Sequence, residues 1–389
     1  MLKKMHYMDY TLLIPYLILS GIGIVMVYSS SSYVAAQNGL TPTGYLIKQI
    51  VWVVIGLGMT FIVMNLRIRV LKNRTMLGLV GMLLIAMLGF LMVRGKTING
   101  AAGWITLGSV SLQPAEFCKF FIIVYLAEFV TQRADNQGLA HWGDMVKQFV
   151  MIGAMLVLIL IQPDLGGAAI NLMIAIVILF ASGIHYFIGV GILGGAVGLV
   201  EFVLIPAVSR LPQSVLQSSY KLRRFIGFLN PFETASGAGA QLVNSYYAIS
   251  NGGLTGVGIG NSLQKRGYLP EPNTDFIMSI IAEELGLIGV LVIMFLLAFM
   301  VHRIVKIGVK SKSRYNTLVC YGVATYLTVQ AFINVGGLLG LIPITGVTFP
   351  FISYGGSSMM VLTLALGLVL NISALEKIER TSATVHEAD

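Results

Sequence analysis

Three carboxylates stand where a polar loop runs into an apolar helix. The segment Gly260–Gly286 reads GNSLQKRGYLPEPNTDFIMSIIAEELG, with Asp275 at the start of the apolar run and Glu283 and Glu284 within it. Carboxylates at the membrane end of a helix are costly and are therefore candidates for function. Desolvation raises the pKa of such a group towards the range in which it can take a proton from a hydroxyl. The alternative is that Thr274 or Asp275 caps the helix, and that at least one glutamate pairs with a neighbouring helix.

A second ionisable pair lies in the segment QPAEFCK, residues 113–119. Pro114 suits the first turn of a helix, and Glu116 and Lys119 are spaced i, i+3, so their side chains can pair. Two interpretations stay open. The pair can be a buried ion pair that stabilises helix packing, or Lys119 can face a cavity open to the outer leaflet and bind a phosphate as a point charge.

Two further segments combine groups that suit a lipid-linked ligand. Residues 220–225, YKLRRF, place Arg223 and Arg224 among aromatic side chains, which suits either a diphosphate headgroup or plain anchoring at the interface. Residues 349–358, FPFISYGGSS, supply hydroxyls and glycines at a helix entry, for ligand hydrogen bonds or for a tight turn with small-residue packing. Trp104 is typical of an interfacial aromatic belt.

The composition determines which kind of fold must position these groups. Of 389 residues, 56% are hydrophobic and only 11% are charged, against about 25% in soluble domains. The chain is therefore expected to be a polytopic membrane protein. Its net charge of +9 comes from loops between apolar segments, so topology and anionic lipid account for it and no nucleic-acid partner is expected. Cys118 and Cys320 imply neither a disulfide framework nor a metal site.

The apolar runs predict an all-α bundle of about ten transmembrane helices in a single domain, residues 1–389. The predicted spans are 10–31, 46–65, 75–93, 113–131, 145–162, 165–183, 186–206, 275–301, 315–340 and 355–375. Lysines and arginines concentrate on one side, which places both termini in the cytoplasm, including a short tail at 376–389. A large loop at 207–274, between spans seven and eight, then lies outside. It is too aromatic for a disordered linker.

Taken together, these motifs resemble the SEDS family (shape, elongation, division and sporulation) of integral membrane glycosyltransferases of the bacterial cell wall. The resemblance covers nearly the whole chain, through NGAAGWI, QPAEFCK, QPDLG, YKLRRF with NPFE, GNSLQKRGYLPEPNTDF, EELG and PFISYGGSS in that order. The sequences GNSLQK and YLPE resemble the division or sporulation type more than the elongation type.

The resemblance assigns roles to individual residues. It implies Asp275 as the catalytic acid–base group, supported by Glu116 and Lys119 and by the basic pair Arg223 and Arg224. The predicted substrate-binding set is completed by the motif residues Trp104, Lys265, Ser353, Tyr354 and Ser357. Several neighbours depart from the family pattern, in which an arginine often stands at 103, a histidine at 273 and an aspartate-proline pair at 234–235. This chain has Gly103, Asn273, Thr234 and Ala235 at those positions.

The resemblance also implies a reaction. The substrate would be lipid II, an undecaprenyl-diphosphate disaccharide-pentapeptide, polymerised with inversion at the outer face of the cytoplasmic membrane during septal wall synthesis. A class B penicillin-binding protein would crosslink the product, and other division proteins would be further partners. The sequence contains no dedicated set of metal ligands. Whether a divalent cation, Mg²⁺ or Mn²⁺, assists the reaction is left open. A lipid II flippase and a non-enzymatic division scaffold are the alternatives. A flippase needs polar groups near the midplane, whereas most candidates crowd the outer edge.

Overall fold

The computed structural model describes residues 2–37, 43–94, 96–98, 101–107, 110–137, 146–183 and 220–386, with isolated positions at 39, 41, 190–191, 194–195 and 198. These residues form a mostly helical bundle, as predicted. The helices are α1 Leu2–His6, α2 Tyr10–Gln37, α3 Thr43–Asn65, α4 Ile68–Leu71, α5 Arg74–Arg94, α6 Pro114–Gln137, α7 Val146–Ile161, α8 Leu165–Ala181, α9 Tyr220–Leu229, α10 Ala240–Gly252, α11 Ile277–Lys310, α12 Arg314–Leu338 and α13 Gly356–His386.

Six of the described helices are long and apolar enough to cross a membrane, namely α2, α3, α5, α11, α12 and α13. The predicted spans four, five and six coincide with α6 and the shorter α7 and α8. The predicted seventh span, 186–206, and the first part of the large loop, 207–219, fall outside the described residues apart from a few isolated positions. The chain is a multi-pass membrane protein.

Helices α12 and α13 form the centre of the bundle. In their most apolar windows 67% and 83% of residues are buried, whereas only 22% are buried in α11. The side chains that α11 leaves exposed include Leu287, Leu291 and Phe295, which are apolar and spaced to lie on one face. The centre therefore packs protein against protein, and α11 presents an apolar face to the surroundings.

A small antiparallel sheet departs from the all-α prediction. Strands β1 Lys96–Ile98, β2 Ala101–Leu107 and β3 Val110–Leu112 pair in the order β1-β2-β3, between α5 and α6. Trp104 lies opposite Lys96 in this sheet. The strands are too short and too rich in small residues for the alternation that identifies a strand in sequence. The sheet fixes the chain directly before α6, the helix that carries Glu116 and Lys119.

Helix α11 is not one continuous helix. Gly286 has φ 69° and ψ −174°, a conformation open to glycine, and it interrupts the helix after Leu285. The interrupted hydrogen bonds are replaced by the loop after α10. The N–H groups of Val257 and Gly258 donate to the carbonyls of Glu283 and Glu284, both at 3.0 Å. The short segment 277–285, which follows Asp275, is thus bound to the large loop, and the apolar span proper begins at 287.

Candidate active site

Asp275 lies two residues before α11, and its backbone is tied to two other elements. Its carbonyl accepts a hydrogen bond of 2.8 Å from Asn334 Nδ2 of α12. The preceding carbonyl, of Thr274, accepts one of 2.7 Å from Ser353 Oγ. The carbonyl of Asn273 accepts one of 2.9 Å from the N–H of Tyr354. The connection between α12 and α13 therefore fixes the backbone that presents Asp275.

Asp275 lines a small cleft that is partly open to the surface. The cleft is bounded by the end of α12 and the segment that follows it, and its lining is mostly apolar. Besides Asp275, it consists of Ile333, Asn334, Gly337, Leu338, Ile344, Thr345, Gly346 and Val347. A half-buried acid among apolar walls is the environment in which a carboxylate becomes more basic.

The charges near Asp275 oppose one another. Burial raises the pKa of the Asp275 carboxyl to about 6, the positive charge of Arg224 lowers it, the negative charge of Glu271 raises it, and a hydrogen bond from Thr274 lowers it. Arg224 lies at the cleft wall, where its Nη1 donates to the carbonyl of Ile344 at 3.4 Å. Such a group is largely ionised at neutral pH but is more basic than an ordinary aspartate. It can therefore act as a general base on a hydroxyl.

Glu116 and Lys119 form the predicted pair. Lys119 Nζ lies 2.6 Å from Glu116 Oε1, the lysine is only 1% exposed, and its Nζ lies 5.2 Å from the centre of the Tyr326 ring. Tyr326 donates to Glu116 Oε2 at 3.4 Å. The pair belongs to the buried junction of α6 and α12. No hydrogen bond or ion pair among the described residues joins Lys119 to Asp275.

Asp164 is an acid that the predicted site residues do not include, and it lies near the pair Glu116–Lys119. It caps α8 by accepting from the N–H of Gly167 at 2.7 Å, and it accepts from Gln113 Nε2 at 3.0 Å. Burial raises the pKa of this carboxyl, and the charges of Lys119 and Glu116 act on it in opposite directions. The turn QPD directly before the apolar run that begins at Leu165 was the available signal, since an aspartate there is a common helix N-cap.

Ser357 joins this polar cluster to the small sheet. Its hydroxyl accepts from the N–H of Gln113 at 3.0 Å and donates to the carbonyl of Ser111 at 3.3 Å. Ser353 and Tyr354 hold the backbone before α11, as described above. Tyr354 also packs edge-on against Tyr45 at 5.4 Å. These three predicted substrate-binding residues thus shape the site through backbone contacts.

Lys265 has a set of buried partners of its own. Its Nζ lies 2.7 Å from Glu284 Oε1 and 2.9 Å from Ser29 Oγ of α2, and the side chains of Lys265 and Glu284 are 5% and 0% exposed. Glu283 is likewise held, by Asn251 Nδ2 at 2.9 Å and by the N–H of Leu263 at 3.0 Å. Both glutamates thus pin the large loop onto segment 277–285. The hypothesis that at least one of them pairs structurally applies to both.

One of the predicted site residues, Arg223, is only partly described, and another, Trp104, lies in the small sheet rather than in a helix. Arg223 lies in α9, but its side chain is outside the described residues. Trp104 lies in β2 and is partly buried. Within the described part of the chain, no group of three or more His, Cys, Asp or Glu side chains is placed to hold a metal ion. The described side chains at the cleft therefore do not fit a resident metal centre.

The fold and the cleft define a multi-pass membrane protein in which a carboxyl group with a raised pKa, that of Asp275, lies beside the membrane-spanning bundle. A family model described as a cell cycle protein, FtsW/RodA/SpoVE, matches residues 10–378. The chain therefore belongs to the FtsW/RodA/SpoVE family, which is the SEDS family that its motifs resemble.

Named relatives agree with the division or sporulation type. The probable peptidoglycan glycosyltransferase FtsW of Lactococcus lactis subsp. lactis (strain IL1403) is 41% identical, over 97% of this chain and 94% of the relative. The protein of the same name from Bacillus subtilis (strain 168) is 40% identical, over 97% and 93%. The stage V sporulation protein E of that strain is 35% identical, over 94% and 96%.

Solved structures share the fold. A chain from a peptidoglycan synthase complex, studied for its structural coordination of polymerization and crosslinking, superimposes with a TM-score of 0.75 and 26% identity, over 95% of this chain and 98% of that one. The rod shape determining protein RodA of Thermus thermophilus gives a TM-score of 0.67 at 25% identity, over 94% and 96%. Both likenesses extend over nearly the full length of the bundle.

Proposed function

We propose that this chain is a peptidoglycan glycosyltransferase that joins lipid II units into glycan strands for septal wall synthesis, with Asp275 as the general base. The observation that carries the proposal is the half-buried Asp275 carboxylate in an apolar cleft, with its pKa raised to about 6. A hydroxyl nucleophile needs a base of this kind near neutral pH. The family membership and the names of the relatives support the activity class.

The reaction is an inverting displacement. The carboxylate of Asp275 takes the proton of the acceptor GlcNAc 4-hydroxyl while that oxygen attacks C1 of the donor MurNAc. The bond between C1 and the diphosphate oxygen breaks, and undecaprenyl diphosphate leaves with the electron pair. An α-linked donor gives a β-linked glycan in this single step. Holding both lipid-linked sugars beside the cleft supplies much of the rate, because it makes the encounter intramolecular.

Among the described cations, Arg224 is the one that we assign to stabilising the leaving diphosphate. It lies at the cleft wall beside Asp275, where a guanidinium can pair with a diphosphate oxygen. Arg223 precedes it in α9 and is proposed as its companion. Lys119 is engaged by Glu116 and is almost fully buried. We assign the pair Glu116–Lys119 to the support of the cleft through Tyr326, rather than to direct phosphate contact.

The proposed orientation follows from the length of α11. From Leu287 to Lys310 the helix extends about 36 Å, enough to cross a hydrocarbon core of about 30 Å. Asp275 and the basic end of α11 then lie on opposite sides of the membrane. Because lysine and arginine are enriched on the cytoplasmic side, Asp275 is placed outside. Both termini are cytoplasmic in this arrangement. The likeness to a chain of a peptidoglycan synthase complex supports a class B penicillin-binding protein as the crosslinking partner.

The decisive experiment measures glycan chains formed from labelled lipid II by the purified chain in complex with its class B penicillin-binding protein. We expect Asp275→Asn to abolish polymerisation, because an amide cannot take the proton. Glu233→Gln is the matched control, since Glu233 is an exposed acid of the same loop. Equal polymerisation by Asp275→Asn and the unsubstituted chain would remove Asp275 as the base. Translocation of lipid II without polymer would favour the flippase instead.

A further inference from the structure

A four-residue segment of the cleft wall is held tightly from one side. This segment, Ile344–Val347, is called the strap below. Its outward neighbour is Gly166 in the first turn of α8. A Cβ atom built on Gly166 would lie 2.3 Å from Val347 Cγ2 and 2.9 Å from Thr345 Oγ1, closer than real side chains approach. The strap therefore sits directly against the start of α8 and has no room to move towards it.

The other side of the strap faces the catalytic groups. A Cβ atom built on Gly346 would lie 3.2 Å from Asp275 Oδ2 and 3.5 Å from Arg224 Nη1. The carboxylate and the guanidinium thus both border the place where a side chain of residue 346 would stand. The backbone of Gly346 has φ 80°. That angle alone accounts for a glycine at this position. It does not account for the position of the missing side chain next to the acid.

The strap is also tied at both ends to residues of the site. Arg224 Nη1 donates to the carbonyl of Ile344, and Asn334 Nδ2 donates to the carbonyl of Val347 at 2.7 Å. The same Asn334 nitrogen donates to the carbonyl of Asp275. A displacement of the strap would therefore be transmitted to both Arg224 and Asp275.

We propose that Gly346 is a positioning residue for the transfer reaction. Its lack of a side chain lets Arg224 approach Asp275 over the strap and leaves the acceptor hydroxyl a path to the carboxylate. This inference rests on the proposed function, because it requires Asp275 to act as a base. Gly346 would keep Asp275 ionised by letting Arg224 lie near it. The smallest addition, the methyl group of alanine, would press on the carboxylate of Asp275 and contact the guanidinium of Arg224, which favours their separation.

The consequence appears in the pH dependence. Among the described residues, the charged groups that act on Asp275 are Arg224 of α9 and Glu271 of the preceding loop. Separating Arg224 from Asp275 removes the attraction that favours the ionised acid and leaves the repulsion from Glu271. The pKa of Asp275 then rises, and the fraction of active base falls at low pH. An opposite charge within a few ångströms typically changes a carboxyl pKa by about 1–3 units.

The test is the pH profile of lipid II polymerisation by the complex. We expect Gly346→Ala to shift the acid limb of the rate upwards by roughly one pH unit, so that about tenfold is lost near pH 5.5 and much of it is regained near pH 8. Arg224→Gln should shift the limb in the same direction and, because it also removes the bond to Ile344 and the proposed contact with the leaving group, should lower the rate at every pH as well. Gly260→Ala is the control for backbone strain, because Gly260 has φ 88° and nothing within 4 Å of its Cβ position.

The outcomes separate this inference from the proposed function. If Asp275→Asn still polymerises, the function itself fails, whatever Gly346→Ala does. If Asp275→Asn is inactive and Gly346→Ala loses the same proportion of activity at every pH, Gly346 serves the fold alone and the positioning role is overturned. Thermal unfolding of Gly346→Ala beside Gly260→Ala completes the comparison. A pH shift in Gly346→Ala that is absent from Gly260→Ala, at equal stability, supports the inference.

Discussion

Asp275 owes its chemical character to a conflict between its surroundings. Burial in an apolar cleft disfavours the charged carboxylate, whereas the nearby guanidinium of Arg224 favours it, and burial has the larger effect. The result is a base that is stronger than a surface aspartate yet still ionised at neutral pH. A catalytic base works best when its pKa lies near the working pH, so this balance is the physical core of the proposed mechanism.

The first prediction concerns the pH dependence of the reaction. Because Asp275 must be ionised to accept a proton and its pKa is about 6, kcat/KM for lipid II should rise with pH through about 6 and level off by neutrality. The measurement is the initial polymerisation rate at low substrate concentration from pH 5 to 8. A rate that is constant between pH 5 and 7 would contradict the assignment.

The second prediction concerns stability. The folded pKa of Asp275 lies above its ordinary value of 3.8, so the folded state binds the proton more tightly than the unfolded chain does. The stability associated with this group is therefore present at low pH and is lost as pH rises through about 6. Asp275→Asn removes this loss, so the melting temperature of the variant, relative to the unsubstituted chain, should increase between pH 5 and pH 8.

A flat difference in melting temperature across that range would show that the acid is not destabilised in the folded state. Glu233→Gln again supplies the control, because Glu233 is exposed. Opposite effects of Asp275→Asn on activity and on stability at pH 8 would be typical of a site that gives up stability for function.

At the residue scale, the sequence identified the groups but not all of their partners. Asp275 stood out because a carboxylate beside an apolar run is rare. The pair Glu116–Lys119 followed from its helical spacing, and the structure contains it. The approach of Arg224 and the bare face of Gly346 could not be foreseen, because they join α9 and the strap, which are about 120 residues apart in the chain. Lys265 was expected to bind substrate, but its observed partners are Glu284 and Ser29.

At the element scale, the break in α11 is the feature that positions the catalytic segment. Segment 277–285 is almost entirely buried, and exposed apolar side chains begin at Leu287. Sequence periodicity predicted one span, 275–301, because a single glycine within an apolar run does not reveal an interruption. The replacement hydrogen bonds come from residues 253–258, whose contribution depends on the tertiary fold. The short sheet before α6 was missed because its strands are too short for a clear alternation of apolar and polar residues.

The third prediction tests the buried ion pair that fastens the large loop to this element. Lys265→Met should lower the free energy of unfolding by about 3–5 kcal/mol, because it leaves the Glu284 carboxylate buried without its cation. The double variant Lys265→Met with Glu284→Leu should be more stable than Lys265→Met, since no uncompensated charge remains. Denaturant or thermal unfolding in detergent gives both values.

This double-variant comparison isolates the pair itself. If Lys265→Met is as stable as the unsubstituted chain, the ion pair does not hold the loop, and Lys265 returns to consideration as a substrate contact. If the double variant loses as much stability as the two single variants together, the two residues act independently. Polymerisation by a stable double variant would further show that Lys265 is not required for lipid II binding.

At the scale of the whole molecule, two of the polar regions among the described residues lie far apart. One surrounds Asp275 and the α12–α13 connection. The other surrounds Asp9 before α2, whose carboxylate lies 2.7 Å from Arg303 Nη2 and accepts from Ser373 at 2.9 Å. Burial raises the pKa of Asp9, but hydrogen bonds from Arg303, Thr11 and Ser373 and the charge of Lys377 outweigh it, so the pKa is lowered. This second region joins the amino-terminal segment to α11 and α13.

The two regions lie at opposite ends of α11, which leads to the fourth prediction. Arg303, Lys306, Lys310 and Lys312 stand at one end or just beyond it, and Asp275 precedes the other. Since lysine and arginine are enriched in cytoplasmic loops, Lys312 should be cytoplasmic and the loop that contains Ser236 should be external. Ser236→Cys should react with a membrane-impermeant maleimide added to intact cells, and Lys312→Cys should react only after the membrane is permeabilised.

The chain provides its own control for this labelling. Its two native cysteines, Cys118 and Cys320, are 0% exposed, so the unsubstituted protein should not be labelled from either side. Ser236 and Lys312 are both exposed, so access depends on the membrane alone. Labelling of Lys312→Cys in intact cells would reverse the orientation and put Asp275 on the cytoplasmic side. There an acid at residue 275 could not elongate glycan outside the cell, and translocation would have to replace polymerisation as the proposed activity.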